Sequence, residues 1–277
     1  MAEILGYNGW RPIVDHDPPS PGKGRDPFPA TKFFDNLAFI GNRNVCCFLV
    51  ITSEGLVLID CMNPGDELYI EQCIRDLGYD PADLKAILIT HGHGDRYGNA
   101  AYFREKYGTK IYMSSVDEAM AIVPKTMPDG RISVLEWRMD GYIESGEKFV
   151  LGDEAIEFYA TPGHTPGCLS FIIPVTDEGR PHKVMLWGGT GVPADPELQA
   201  KYRQSVIEFT AICAKEGVDC EVSNHPFVDQ LCERLSVVRV ITNGTPNPMV
   251  ASTDAVARTL GMFRQLVENR IALGLLQ

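Results

Sequence analysis

The chain reads as an α/β protein whose strands and helices occur in both halves, a pattern that suits one sandwich-like domain better than two independent ones. Three observations carry this. Short apolar runs of strand length recur from Phe33 onward, bounded by turn residues. Segments with apolar residues at helical spacing, often flanked by glycine, alternate with them. The 277 residues, 44% apolar, suffice for a substantial core and contain no sequence repeat or low-complexity segment.

The elements follow in order. Residues 8–30 hold six prolines with Gly22 and Gly24, so residues 1–30 read as an extended arm and 31–277 as the folded domain. His16 within the arm reads as a solvated residue. Strands are expected over 33–40, 45–52 and 56–60, with Glu54-Gly55 turning between the last two. Leu68, Ile70, Cys73, Ile74 and Leu77 predict a helix over 66–77, capped by Asp66 and closed by Gly78. The run Ala86-Ile87-Leu88-Ile89-Thr90 reads as a fully buried strand. A helix (99–107, closed by Gly108), a strand (110–113) and a short helix (116–123) come next. Residues 124–141 read as a long loop whose Met127, Trp137 and Met139 form either a substrate wall or a core anchor. Strands over 148–151, 155–160, 168–175 and 183–186 lead to a helix over 196–215, a strand over 218–222 and helices over 228–235 and 253–273.

The net charge of −12, with no dense Lys/Arg run, argues against nucleic acid or an anionic membrane as a partner, and the partner expected is a small-molecule substrate. No apolar run approaches the roughly 18 residues of a membrane helix. Met1–Tyr7 has no basic region leading into an apolar stretch, which gives a cytoplasmic expectation. The eight scattered cysteines form no CxxC pair and read as reduced small hydrophobes, Cys168 among them as a buried strand residue. Nothing in the sequence addresses oligomeric state.

Chemistry concentrates in His91-Gly92-His93-Gly94-Asp95-Arg96, directly after the buried strand. Two imidazoles and a carboxylate at alternate positions put three metal-binding groups on one tight loop, which Gly92 and Gly94 allow to bend. Such ligands suit zinc; iron and manganese also fit. His164 lies in Thr161-Pro162-Gly163-His164-Thr165-Pro166-Gly167 and His225 in Ser223-Asn224-His225-Pro226. Four of the six histidines therefore occupy three turn-rich spots.

In this order, His91, His93 and Asp95, then His164, then His225 resemble the ligand motifs of the metallo-β-lactamase superfamily, from about Asn36 to about Pro226. The TPGHTPGC and SNHP stretches, with Asn247-Pro248, are similar to the β-lactamase subclass that binds zinc without cysteine. The resemblance implies an αβ/βα four-layer sandwich: two mixed sheets face to face, helices outside, metals at one edge. It also implies an enzyme in which a metal-bound hydroxide attacks the carbonyl of a cyclic amide or ester. His91, His93 and His164 would hold one zinc and leave its fourth position open. Asp95 would be the catalytic proton handler or a second-metal ligand together with His225.

The chain departs from that subclass at the second metal. Arg96 stands where a histidine ligand follows the aspartate, and a guanidinium does not ligate. Another subclass has arginine there but supplies a later cysteine after Gly-Gly; here Gly188-Gly189 is followed by Thr190. The expectation is one tightly bound zinc, with the second weak or absent. Arg96 would pair with a structural carboxylate such as Asp60, hold Asp95, or bind a substrate carboxylate. Asp60, at a strand end, would orient a ligand loop. His182 reads as a surface residue. A β-lactam-like substrate leads, a lactone or thioester follows, and a mononuclear iron sulfur dioxygenase is the alternative chemistry.

Overall fold

A computed structural model describes residues 26–126, 132–133, 135, 137–241 and 244–274. The arm expected over 1–30 lies outside these as far as residue 25, and His16 with it.

The first sheet contains β1 (Pro27–Phe34), β2 (Leu37–Asn42), β3 (Cys46–Thr52), β4 (Gly55–Ile59), β5 (Leu84–Leu88), β6 (Lys110–Met113) and β9 (Gly141–Tyr142), in the order β1-β2-β3-β4-β5-β6-β9. It is antiparallel from β1 to β4 and parallel from β4 to β9. The second sheet runs β10 (Lys148–Leu151), β11 (Glu154–Ala160), β12 (Leu169–Asp177), β13 (Arg180–Trp187) and β14 (Cys220–Ser223), with only the last pair parallel. A separate two-stranded ribbon pairs β7 (Lys125–Thr126) with β8 (Ile132–Ser133).

Side-chain alternation sorts each strand between two layers. In β2 and β3, Leu37, Phe39, Phe48 and Val50 face inward, where they meet Phe158, Phe171, Ile173 and Leu186 of the second sheet. The intervening Ala38, Ile40, Cys47 and Leu49 face outward, against α1 (Glu67–Asp76) and α3 (Ala100–Tyr107). On the far side, Ile172, Met185 and Trp187 pack on α5 (Pro196–Glu216) and α7 (Thr253–Ala272). Both sheets are thus apolar on two faces, and covering each outer face with helices gives the expected αβ/βα sandwich. The short helices α2 (Gly94–Tyr97) and α4 (Ser115–Ala121) lie in the first half, and α6 (Leu231–Val238) adds Leu231, Cys232 and Leu235 to the inner layer.

Several boundaries differ from expectation. The single strand over 33–40 is a hairpin, with Phe34 paired to Leu37 across Asp35-Asn36. These are turn-forming residues, but the apolar run on both sides masks them. β1 begins at Pro27, so residues 27–30 join a sheet. As an edge strand, β1 tolerates the missing N–H groups of Pro27 and Pro29. Within 124–141, Leu135, Trp137 and Met139 pack on the outer cluster of the first sheet, which makes them a core anchor; Met127 lies outside the described residues. His182 is held by Asp219, Nδ1 to Oδ2 at 2.6 Å. All eight cysteines are buried and unpaired, as read. No helix among the described residues is long and apolar enough to cross a membrane.

Phe48 is fully buried, within 6.3 Å of the Phe33 ring and 6.5 Å of the Phe39 ring, centroid to centroid. Phe48→Ala is expected to cost about 3–5 kcal/mol in urea denaturation, through lost transfer energy and an unfilled cavity. A loss below about 1 kcal/mol would mean that the inner layer collapses around the gap.

Candidate metal centre

Strand β5 ends at Leu88, and the chain continues through Thr90 into the HxHxD loop at one edge of the sandwich. The second sheet delivers its histidine from the turn between β11 and β12, which contains His164. The rings of His91, His93 and His164 meet with centroids 4.6–4.8 Å apart and planes 85–86° to one another. One ligand atom from each lies within 4.8 Å of the others.

The hydrogen bonds decide which nitrogens face the centre. His164 Nδ1 lies 2.7 Å from the Gly191 carbonyl, so it carries the proton and Nε2 keeps a lone pair. His91 Nδ1 lies 3.2 Å from Thr90 Oγ1, whose hydroxyl is 2.9 Å from both Asp60 oxygens. With Thr90 donating to Asp60, its oxygen accepts from His91 Nδ1, and His91 Nε2 is left buried without a hydrogen-bond partner. Burial, aided by repulsion from the neighbouring imidazoles, holds His91 well below its ordinary pKa and therefore neutral. His93 Nδ1 and His164 Nε2 stand 3.1 Å apart. Two nitrogens bonded tetrahedrally to one zinc at ~2.0–2.1 Å would lie about 3.3 Å apart. Three mutually perpendicular imidazoles with an orphaned lone pair among them fit a divalent transition metal.

Asp60, directly after β4, has φ of 61°, a left-handed conformation that is costly for a non-glycine residue and recurs at functional sites. There its carboxylate accepts from Thr90 N at 2.8 Å and from Asn224 Nδ2 at 3.2 Å. Burial pushes its carboxyl up to about 6, against the opposing pull of Arg96 and these hydrogen bonds. Asn224 Nδ2 also donates to the Gly188 carbonyl at 3.1 Å, which ties β14 to β13 beneath the site.

Arg96 is fully buried. Its Nη2 donates to Asp95 Oδ2 and lies 2.7 Å from His225 Nε2. Its Nη1 donates to the Asn224 carbonyl at 3.1 Å and lies 3.5 Å from Asp60 Oδ2. Burial opposes ionisation of Asp95, but the Arg96 charge overrides it and holds that carboxyl well below the usual range. His225 is neutral, lowered to about 3 by burial and by Arg96, and its Nδ1 donates to the Asn44 carbonyl at 2.8 Å. His91, His93 and His164 thus converge, while Asp95 and His225 gather around Arg96. Thr190 is buried, and its backbone carbonyl accepts from Tyr202 Oη at 3.1 Å.

The neighbouring glycines serve packing. Neither Gly92 nor Gly94 has a positive φ, so the loop does not need them for the bend expected of it. A Cβ on Gly92 would meet the Asp117 carbonyl at 2.8 Å, and one on Gly189 would meet His164 Cβ at 2.3 Å.

Asp117 escaped the sequence reading. Its Oδ2 accepts from Gly92 N at 2.8 Å and Thr165 Oγ1 at 2.6 Å, and its Oδ1 accepts from Gly167 N at 2.7 Å. One buried carboxylate therefore clamps the His91/His93 loop to the His164 loop. In sequence it is a first-turn acid of α4, as many helices have for their dipole. Only the three dimensional partners distinguish it.

Similarity to known proteins agrees with this geometry. Residues 40–177 match the family model described as the metallo-beta-lactamase superfamily. The chain is 30% identical over 172 residues to metallo-beta-lactamase domain-containing protein 1 of Xenopus laevis, covering 56% of this chain and 63% of that relative. It is 26% identical over 151 residues to hydroxyacylglutathione hydrolase GloC of Haemophilus influenzae, covering 52% of this chain and 68% of that protein. The structure of BJP-1, a subclass B3 metallo-beta-lactamase of Bradyrhizobium japonicum, superposes with a TM-score of 0.80 at 23% identity, over 91% of this chain and 97% of that one.

Asp117→Ala is expected to weaken metal binding about 10–100-fold, as loss of groups that orient ligands does. Competition with a chromophoric chelator measures this, with circular dichroism confirming the fold. An affinity within twofold of the parent would show that the two loops hold their places without the clamp. The geometry and the similarities together give this chain the fold of the metallo-β-lactamase superfamily.

Proposed function

We propose that this protein is a metal-dependent hydrolase, with zinc held by His91, His93 and His164, acting on the carbonyl of a cyclic amide or ester. The observation that carries the reading is the convergence of three imidazoles at one sheet edge, with His91 Nε2 buried and lacking a hydrogen-bond partner. A divalent ion bound there supplies Lewis acidity, which makes water acidic near neutral pH and polarises a carbonyl oxygen.

The chain's own residues do the remaining work. Thr90 and Asp60 fix the His91 tautomer, and the Gly191 carbonyl fixes that of His164, so both present lone pairs to the ion without rearranging. Arg96 engages Asp95 Oδ2 and keeps the carboxylate ionised. Oδ1 is then the oxygen left to orient the attacking water by accepting its hydrogen bond. Asp95 thus positions the attacking water, and a proton it takes up is passed on to the leaving group. The side chain keeps 13% exposure, which leaves it within reach of a substrate entering from solvent.

A strained β-lactam or a lactone is the leading substrate class. An acylglutathione thioester is the second, supported by the likeness to a hydroxyacylglutathione hydrolase. A nitrogen-only donor set also suits iron, so elemental analysis accompanies the assays.

A chromogenic cephalosporin, a small lactone series and an acylglutathione should be tested side by side with metal-loaded protein. Turnover of at least one, abolished in His164→Ala together with bound metal, is expected. Silence on all three would remove the substrate claim. In metal-replete protein, Asp95→Asn should lower kcat by about 10²–10⁴-fold; near-parental kcat would make Asp95 structural.

A further inference from the structure

We propose that Arg96 is a built-in cation occupying the place that a second metal ion would need between Asp95 and His225, so that the centre takes a single metal. This rests on the metallo-hydrolase reading above and deepens it. The two atoms that would chelate a second ion, Asp95 Oδ2 and His225 Nε2, lie 3.7 Å apart. Arg96 Nη2 bridges them, bonded to the first and 2.7 Å from the second. His225 has no other nitrogen to offer, since Nδ1 donates to the Asn44 carbonyl. Both donors are therefore spent on the guanidinium.

The arginine is not free to yield. Its backbone carbonyl accepts from Cys61 N at 2.7 Å, which fixes α2 against the end of β4. Nη1 is held by the Asn224 carbonyl and faces Asp60. A guanidinium does not deprotonate to make room. Swinging it aside would leave Asp60 buried without its nearby positive charge, a costly state. A dication placed beside it would meet direct repulsion in a site of low dielectric. The fixed charge also takes over part of a metal's task, because its hydrogen bond holds the Asp95 carboxylate in place. On this view His225 is a positioning residue for Arg96.

Cobalt(II) titration of chelator-treated full-length protein, followed by visible absorption and by elemental analysis after dialysis, tests this. The parent protein should saturate at one equivalent, and His225→Ala should do the same. Arg96→His, which removes the guanidinium and adds a nitrogen donor, should take two. Two tightly held equivalents in the parent would overturn the inference and leave the hydrolase reading intact, and so would loss of the single equivalent in His225→Ala. A folded Arg96→His variant that stays at one equivalent would also overturn it. No binding to the parent would overturn both. Should Arg96→His fail to fold, the parent and His225→Ala still decide.

Discussion

A positive charge sealed from solvent has to be surrounded, and the neighbourhood of Arg96 is organised around that need. The guanidinium draws on Asp95 at one end and on Asp60 and the Asn224 carbonyl at the other. These partners come from the end of β4, the HxHxD loop and the segment after β14, so both sheets contribute. Removing any of them would strand a buried charge, a far larger penalty than losing an exposed ion pair. The arrangement thereby locks the three segments in register with one another. Asp60 accepts a left-handed backbone to take its place in it, and the strain is offset by hydrogen bonds from Thr90 and Asn224.

The imidazole triad is built on this support. Asp60 reaches His91 through Thr90, and Asn224 reaches Thr90, Asp60 and the Gly188 carbonyl with one amide. Asp117 closes the opposite side by clamping the two ligand loops with three accepted hydrogen bonds. Gly189 lets the segment after β13 run close to His164. His91 and His164 are thus each oriented by a neighbour that is itself held, which is what a preorganised site requires. The apolar layers behind supply the rigidity: the sheets meet through Phe39, Phe48, Phe158 and Phe171, leaving the loop ends as the polar rim.

Much of this was legible in the chain. Apolar alternation placed β3, β4 and the strands of the second half to within about three residues at either end, because the two-residue period of a strand is local. The β1–β2 hairpin was missed because Phe33, Phe34 and Leu37 keep the run apolar across the turn. His91, His93 and His164 stood out because metal-binding side chains in tight turns after apolar strands are rare by chance. The spacing gave no hint of Asp117, Asn224 or the Asn44 carbonyl, because their chemistry depends on partners 25 to 181 residues away. An aspartate in the first turn of a helix looks alike whether it serves the dipole or clamps two distant loops.

Arg96 marks the division most clearly. From the sequence alone it follows that this position carries a permanent charge unable to ligate, and that imidazoles are available for one metal. Those are properties of side-chain chemistry, which the chain carries with it unfolded. Which atoms the guanidinium engages was decided by packing. Folding brings His225 Nε2, Asp95 Oδ2 and Asp60 Oδ2 to its edges, and burial joins the neighbouring Asp95 and the distant Asp60 and His225 into one electrostatic unit. Such coupling arises only when water is excluded and the charges have no other partner, and that condition belongs to the tertiary structure.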